Sequence, residues 1–280
     1  FHGGSVFRDP SAQEAERYKM IFQGHVTAGQ QARYESQGRP VDRMNLTRGT
    51  GRWTGLCGAV SPDGLSWTPL PEPLSLQISD THNMCEWDEA LGAYVAYVRN
   101  WLLSRRTIGR VQAESFGDWP LAADCLWPGP QERPSDLWYT SGKTRVPEAP
   151  EYHVMFPMRW SIVDDRFEFC LASSPDNVTW NLVPGGPVCV PGETGAWDGG
   201  VVAPGLGLVA LPGQRVGIPL GVSEVPHKYP RKAPLGSVGW ASWPQGRLVA
   251  LDAEEEGQLW TWPLRTARRR LEVNARSHGG

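Results

Sequence analysis

The sequence predicts an all-β fold of the β-propeller type, built from repeated four-stranded antiparallel units, and three observations carry that expectation. S-P-D-G-L-S-W at Ser61 to Trp67 nearly recurs as S-P-D-N-V-T-W at Ser174 to Trp180, with a degenerate copy, A-E-S-F-G-D-W, at Ala113 to Trp119. The tryptophans Trp67, Trp119 and Trp180 are spaced by 52 and 61 residues, close to one blade with its loops, since propeller repeats run at roughly 40 to 50 residues. Finally, 32 Gly, 25 Pro and 14 Trp among 280 residues describe many short strands joined by turns, without a long helical pattern.

Each turn motif reads as a strand running into a tight turn. Asp followed by Gly or Asn tolerates the left-handed backbone such a turn needs, and the Trp falls on the next packed position. Aligned on the motif, the chain gives four units. The first runs H-G-G-S-V-F-R-D-P from His2, R-Y-K-M-I-F-Q-G from Arg17, then, after a polar insert of residues 27–52, L-C-G-A-V-S-P-D-G-L-S-W from Leu56. The second runs D-T-H-N-M-C-E-W-D from Asp80, A-Y-V-A-Y-V-R-N from Ala93 and R-T-I-G-R-V-Q-A-E-S from Arg106, whose apolar and polar residues alternate as in a half-buried strand. The third runs D-L-W-Y-T-S from Asp136, E-Y-H-V-M-F-P-M from Glu151 and R-F-E-F-C-L-A-S-S-P-D from Arg166. The fourth begins W-D-G-G-V-V-A-P-G at Trp197 and continues through R-V-G-I-P-L-G-V, L-G-S-V-G-W-A-S-W-P, L-V-A-L-D and G-Q-L-W-T-W-P-L; Pro219 predicts an irregular edge. The expected blades are about 1–78, 79–130, 131–192 and 193–265 within one domain, 1–270. L-E-V-N-A, Leu271 to Ala275, is expected to begin a further strand or tail. A ring must close to remove its sheet edges, so at least one further blade is expected upstream.

The net charge of −3, with Lys and Arg dispersed, leaves no electrostatic footprint for nucleic acid or an anionic membrane. The T-A-R-R-R cluster within 265–270 reads as a solvated strand end. No run of about 18 apolar residues exists to span a bilayer. Cys57, Cys85, Cys125, Cys170 and Cys189 lack metal-type spacing and read as buried free thiols, slightly favouring a reducing, cytoplasmic compartment.

In a propeller the inner strands line a channel, so residues where they start converge. Asp80, Asp136 and Asp198 occupy that position at the blade period, and their carboxyls are expected within about 5 to 10 Å of one another, one with a raised pKa, as glycosidic cleavage requires. Each is equally of a type that starts strands as a turn former. Carboxyls bound up in separate Arg pairs would instead favour a binding module. Glu86 and Glu193 are alternative proton donors if the register differs, whereas Asp9 reads as paired with Arg8 or Arg17 or as a turn cap. His2 and His82 sit beside inner-strand starts, but no metal or cofactor is expected. Trp87, Trp138, Trp160 and Trp197 could stack on sugar rings, with polar reach from His82, Asn83, Arg99, Tyr139 and Arg159. Trp67, Trp119 and Trp180 read as core.

F-R-D-P-S-A at Phe7 to Ala12 with E-R-Y-K-M-I following, S-P-D-G-L-S-W, S-D-T-H-N at Ser79 to Asn83, W-D-G-G-V and L-E-V-N-A together resemble uncharacterised glycosyl-hydrolase-type five-bladed propellers, related to the clan of invertases, levansucrases and arabinanases. The resemblance implies a further N-terminal blade before H-G-G-S-V-F-R-D-P and a β-sandwich after L-E-V-N-A. It also implies a mechanism with two aspartates and a glutamate acid at the channel mouth. Asp80 and Asp136 match inner-strand carboxylate positions; Asp198 stands where Glu is frequent. A glycan is the implied partner. A sialidase is the second enzymatic reading, although its Asp-box carries one more residue between Asp and the aromatic. A non-catalytic carbohydrate-binding or protein-interaction propeller is the third.

Overall fold

The computed structural model describes residues 2–47, 53–229, 236–261, 263 and 273–276. The chain divides into two units, Phe1–Gln245 and Gly246–Gly280. The first is all-β, with every named strand pair antiparallel.

Sheet one has the order β1 (His2–Arg8), β2 (Tyr18–Val26), β3 (Trp53–Ser61), β4 (Thr68–Pro69). Sheet two repeats that meander with β5 (Met84–Asp88), β6 (Ala93–Leu102), β7 (Arg105–Ala113) and β8 (Ala123–Leu126). The polar insert after β2 is partly helical. Thr27 and Gln30 form a reciprocal capping box that starts α1 (Ala28–Ser36), and a short α2 (Arg43–Thr47) follows. Tyr34 of α1 is fully buried with Val26 and Leu76, so the insert folds back on the segment leading out of sheet one.

The third unit departs from the sequence-based reading. Its first strand is broken into β9 (Asp136–Thr140) and β10 (Lys143–Val146), its second into β11 (Ala149–Met155) and β12 (Met158–Ser161), its third into β13 (Arg166–Phe169) and β14 (Ala172–Ser174), with β15 (Asn181–Leu182) outermost. The break yields a three-stranded β9-β12-β13 sheet and a four-stranded β10-β11-β14-β15 sheet. Gly142 sits at the break with φ +53°, where a Cβ would come within 2.7 Å of the Phe156 carbonyl oxygen. Only Gly fits that approach.

In the fourth unit β18 (Arg215–Ser223) pairs on one side with both β16 (Val201–Pro204) and β17 (Val209–Leu211), and on the other with β19 (Gly236–Pro244). Pro219 falls in the gap between β16 and β17, where its carbonyl accepts from Gly205 N at 2.7 Å and no ladder donor is needed. The expected strands at 248–252 and 257–264 do not form among their described residues; Leu251, Leu259 and Trp260 are exposed, so neither face has a core to bury. The basic 265–270 cluster lies outside the described residues, as do Leu271 and Glu272. Val273–Ala275, which are described, form no strand. Among the described residues no helix is long and apolar enough to cross a membrane.

Sheet two is packed on both faces, which explains the unbroken apolar run of β6. Tyr94, Ala96 and Val98 join Ile21, Leu56 and Trp119 in one core; Val95 and Tyr97, pointing the other way, join Trp138, Met155 and Trp180 in another. The first strands of three of the sheets, β1, β5 and β10, meet at a cavity of about 260 Å³, lined by residues 5–7 of β1, 84–86 of β5, Val95 and Tyr97 of β6, 143–145 of β10 and Leu206 and Gly207 after β16.

Candidate functional site

Strand alternation assembles the polar floor of this cavity. Glu86 and Asp88 lie two apart on β5 and project from one face; Lys143 and Arg145 do the same on β10. The two strands bring carboxylates against cations. Lys143 Nζ donates to Glu86 Oε1, Arg145 Nε donates to Glu86 Oε2 at 3.0 Å, and Arg145 Nη2 reaches Asp88 Oδ2 at 3.5 Å. His153 stands directly across from Arg145 in the β10–β11 register and places its ring nitrogens 3.8 Å from Glu86 and 4.0 Å from Asp88.

Asn177 completes the group. It occupies the position in S-P-D-N that Gly64 holds in S-P-D-G, with φ +58° against +76°. Its Nδ2 donates to Asp88 Oδ2 at 2.7 Å and Glu86 Oε1 at 3.0 Å, and its Oδ1 accepts from the Tyr97 hydroxyl at 2.6 Å. Burial alone would raise the Glu86 pKa, but Lys143 and Arg145 outweigh it and hold the carboxyl below its ordinary range. Burial, reinforced by Lys143 and Arg145, lowers the His153 pKa, so its imidazole is neutral near pH 7. Burial pushes Lys143 down while Glu86 pulls it up, with burial prevailing. Glu86, Asp88 and His153 offer donor atoms within 4.8 Å of one another, a spacing that a cation could use. Two protein cations already neutralise that charge.

The three expected aspartates have different surroundings. Asp80 pairs with Arg99 of β6, itself buried, and keeps its carboxylate 40% exposed. Asp136 is buried at the start of β9, 3.3 Å from Arg133, and lies seven residues before the β10 segment that reaches the cavity. Asp198 lies in the loop before β16 with its Oδ1 against Gly192. Glu193, in the same loop, is exposed. Asp9 caps its own turn through Ser11 and accepts from the Tyr94 hydroxyl at 2.6 Å, with Lys19 at 3.6 Å.

The expected sugar-contacting side chains differ in their surroundings. Trp138 and Trp160 are buried, the latter stacked on Phe167 with its indole N–H donating to Asp165 at 2.9 Å. Trp87 is half-buried against Tyr94, and Trp197 is half-exposed over Gly239. Asn83 is fully buried and donates to the Gly3 and Ser79 carbonyls, pinning the lead into β5 to β1. Arg159 pairs with Glu168, and Tyr139 meets His227 Nε2 at 3.2 Å. His82 is exposed. Trp119 and Trp180 are buried as expected, whereas Trp67 is only half-buried and bonds back to the Gly64 carbonyl. Sequence reasoning ranked Glu86 second and missed Lys143, Arg145 and Asn177; the signal was the alternation of E-W-D and K-T-R, which puts paired like charges on single faces.

No protein-family model matches the chain, and neither does any curated protein sequence. Solved structures do share its fold. A candidate glycosidase from Bacteroides thetaiotaomicron superposes with a TM-score of 0.55 at 10% identity, over 87% of this chain and 68% of the other. A protein described as a glycoside hydrolase gives 0.53 at 14% identity, over 88% and 68%. A glycosyl hydrolase from Bacteroides ovatus gives 0.52 at 11%, over 87% and 66%. The chain thus has the fold of these glycoside hydrolases and spans about two thirds of their length.

Proposed function

We propose that this chain belongs to a five-bladed β-propeller of the glycoside-hydrolase type and acts on a glycan, with a sugar residue taken into the central cavity. The observation that carries this reading is that first strands from successive sheets line one cavity whose wall presents the ionised Glu86 carboxylate beside Lys143 and Arg145. The shared fold supports it. A carboxylate kept deprotonated suits the nucleophile or base of glycosidic cleavage, or the stabiliser of an oxocarbenium-like transition state, rather than its proton donor. Asp80, Asp136 and Asp198 stay the proposed carboxylates of the mouth; Asp80, the open one, is the first to test as acid.

The test is release of reducing ends from a panel of oligosaccharides by the chain and by its Glu86→Gln and Asp80→Asn variants, each checked for folding. Hydrolysis lost by about 100-fold or more in a folded Glu86→Gln protein is expected. Turnover unchanged in both variants would remove Glu86 and Asp80 from the reaction, and no turnover of any member by the wild-type chain would remove the hydrolase reading. A second reading, a non-catalytic carbohydrate-binding or protein-interaction propeller, is favoured by the cations that engage Asp80, Asp136 and Glu86 separately. It expects saccharide or partner binding without cleavage.

A further inference from the structure

Between sheet two and the β9-β12-β13 sheet, a guanidinium stands among aromatic rings. Trp101 and Arg106 are directly opposed in the β6–β7 register, so they share a face, and Arg106 Cζ lies 5.5 Å from the Trp101 ring centre. Across the gap, Tyr139 of β9 and Trp160 of β12 approach the same guanidinium at 4.5 Å and 5.5 Å. The exposed Lys228 ammonium lies 5.3 Å over the Trp160 ring.

Arg106 is half-buried, and among the described residues no carboxylate lies within ion-pair distance of it. Its Nη1 is buried without a hydrogen-bond partner, and so is the Trp101 indole N–H. Ring quadrupoles compensate part of a guanidinium's lost hydration but supply no acceptor for its N–H groups. The nearby Asp165 is already occupied, its two oxygens taking the Trp160 indole N–H at 2.9 Å and the Lys228 backbone N–H at 2.6 Å. A partly desolvated cation with unused donors, flanked by flat apolar faces and a second cation, is complementary to an oxyanion carried on a ring.

We infer that Arg106, Trp101, Tyr139, Trp160 and Lys228 form a subsite for an anionic sugar residue, one bearing a carboxylate or a sulfate. Arg106 takes the oxyanion in its planar fork, Lys228 adds charge at the rim, and the rings hold the guanidinium in place through their faces. The saccharide part of this assignment rests on the glycan reading above; the oxyanion part rests on the geometry alone.

The experiment is binding to an array of matched saccharides: uronic-acid oligosaccharides beside their carboxyl-reduced counterparts, and sulfated oligosaccharides beside desulfated ones. Wild type, Arg106→Gln and Arg106→Lys are compared, with thermal melts confirming each fold. Wild type is expected to prefer at least one acidic member over its neutral partner by about tenfold or more, the scale of a charge-assisted hydrogen bond. Arg106→Gln should abolish that preference, and Arg106→Lys should restore only part of it because an ammonium lacks the flat fork. The uronate and sulfate arms identify which oxyanion is taken. Neutral saccharides bound as tightly as acidic ones, or a preference unchanged in Arg106→Gln, would overturn the subsite while leaving the glycan reading intact. Failure to bind any saccharide would overturn both. Should Arg106→Gln not fold, Lys228→Gln and the Arg106→Lys protein carry the comparison, and an acid preference unchanged in both rejects the assignment.

Discussion

A single turn position separates the two copies of the repeated motif in chemistry as well as in sequence. Gly64 and Asn177 both adopt positive φ, and in both copies the preceding aspartate, Asp63 or Asp176, accepts backbone N–H groups two and three residues on. The turn tolerates either residue, but Asn177 sends its amide to Glu86, Asp88 and Tyr97. Asn177→Gly should therefore keep the turn and lose about 1 to 3 kcal/mol through partners left unsatisfied in a buried network. Gly64→Asn, where a Cβ would meet only the Tyr18 ring at 3.8 Å, should change stability by less than about 1 kcal/mol. Chemical denaturation of the two variants checks the contrast. The turn amides also hold the Asp63 and Asp176 pKa values down to about 2. A folded-state pKa below the unfolded one stabilises above the unfolded value near 3.8 and loses that stability as pH falls toward 2. Stability measured from pH 5 to pH 2 should fall less steeply for Asp176→Asn than for wild type.

The elements show which parts of the molecule could be read from sequence. Alternation in β7 was legible because burial imposes its period on residue type. The break between β9 and β10 was not, because a kink that lengthens one strand leaves the apolar pattern of D-L-W-Y-T-S-G-K-T-R intact and marks itself only by Gly142. Beyond the break, Lys143 and Arg145 line the cavity. The start of β1 depends on a similar close approach. Gly3 has φ +58°, a Cβ on it would lie 1.9 Å from the Thr81 carbonyl oxygen, and its own carbonyl accepts from Asn83 N at 2.9 Å. Gly3→Ala should cost about 2 kcal/mol or more, since both the backbone conformation and the contact with the lead into β5 are lost. A lowered melting temperature, with faster amide exchange at Asn83, is the expected readout; an unchanged melt would show that the approach is not needed.

At the scale of the whole molecule, the Glu86 network fastens one sheet to the next across the cavity, joining β5 to β10, β11 and the turn carrying Asn177. The motif S-D-T-H-N, which resemblance marks as part of a site, also ties sheets one and two, through Asn83 to Gly3 and through Ser79 to Gln23 and Arg99. Sequence could name these polar residues but not apportion them between holding and reacting, since both tasks place carboxylates beside cations. Energetics can separate the two. Lys143 is nearly inaccessible and its side chain engages Glu86, so Lys143→Met should cost about 3 kcal/mol or more by leaving a partly buried carboxylate with Arg145 as its one engaged cation, beside the Asn177 amide. If Glu86 serves only to fasten the sheets, Glu86→Gln combined with Lys143→Met should recover much of that loss, because neither group is then a buried unpaired charge. If the carboxylate also acts on substrate, the double variant should recover stability without recovering turnover. Denaturation and hydrolysis measured on the same four proteins make the cycle decisive: turnover that returns with stability would assign Glu86 to architecture alone, and turnover that stays lost in a restabilised fold would assign it to the reaction.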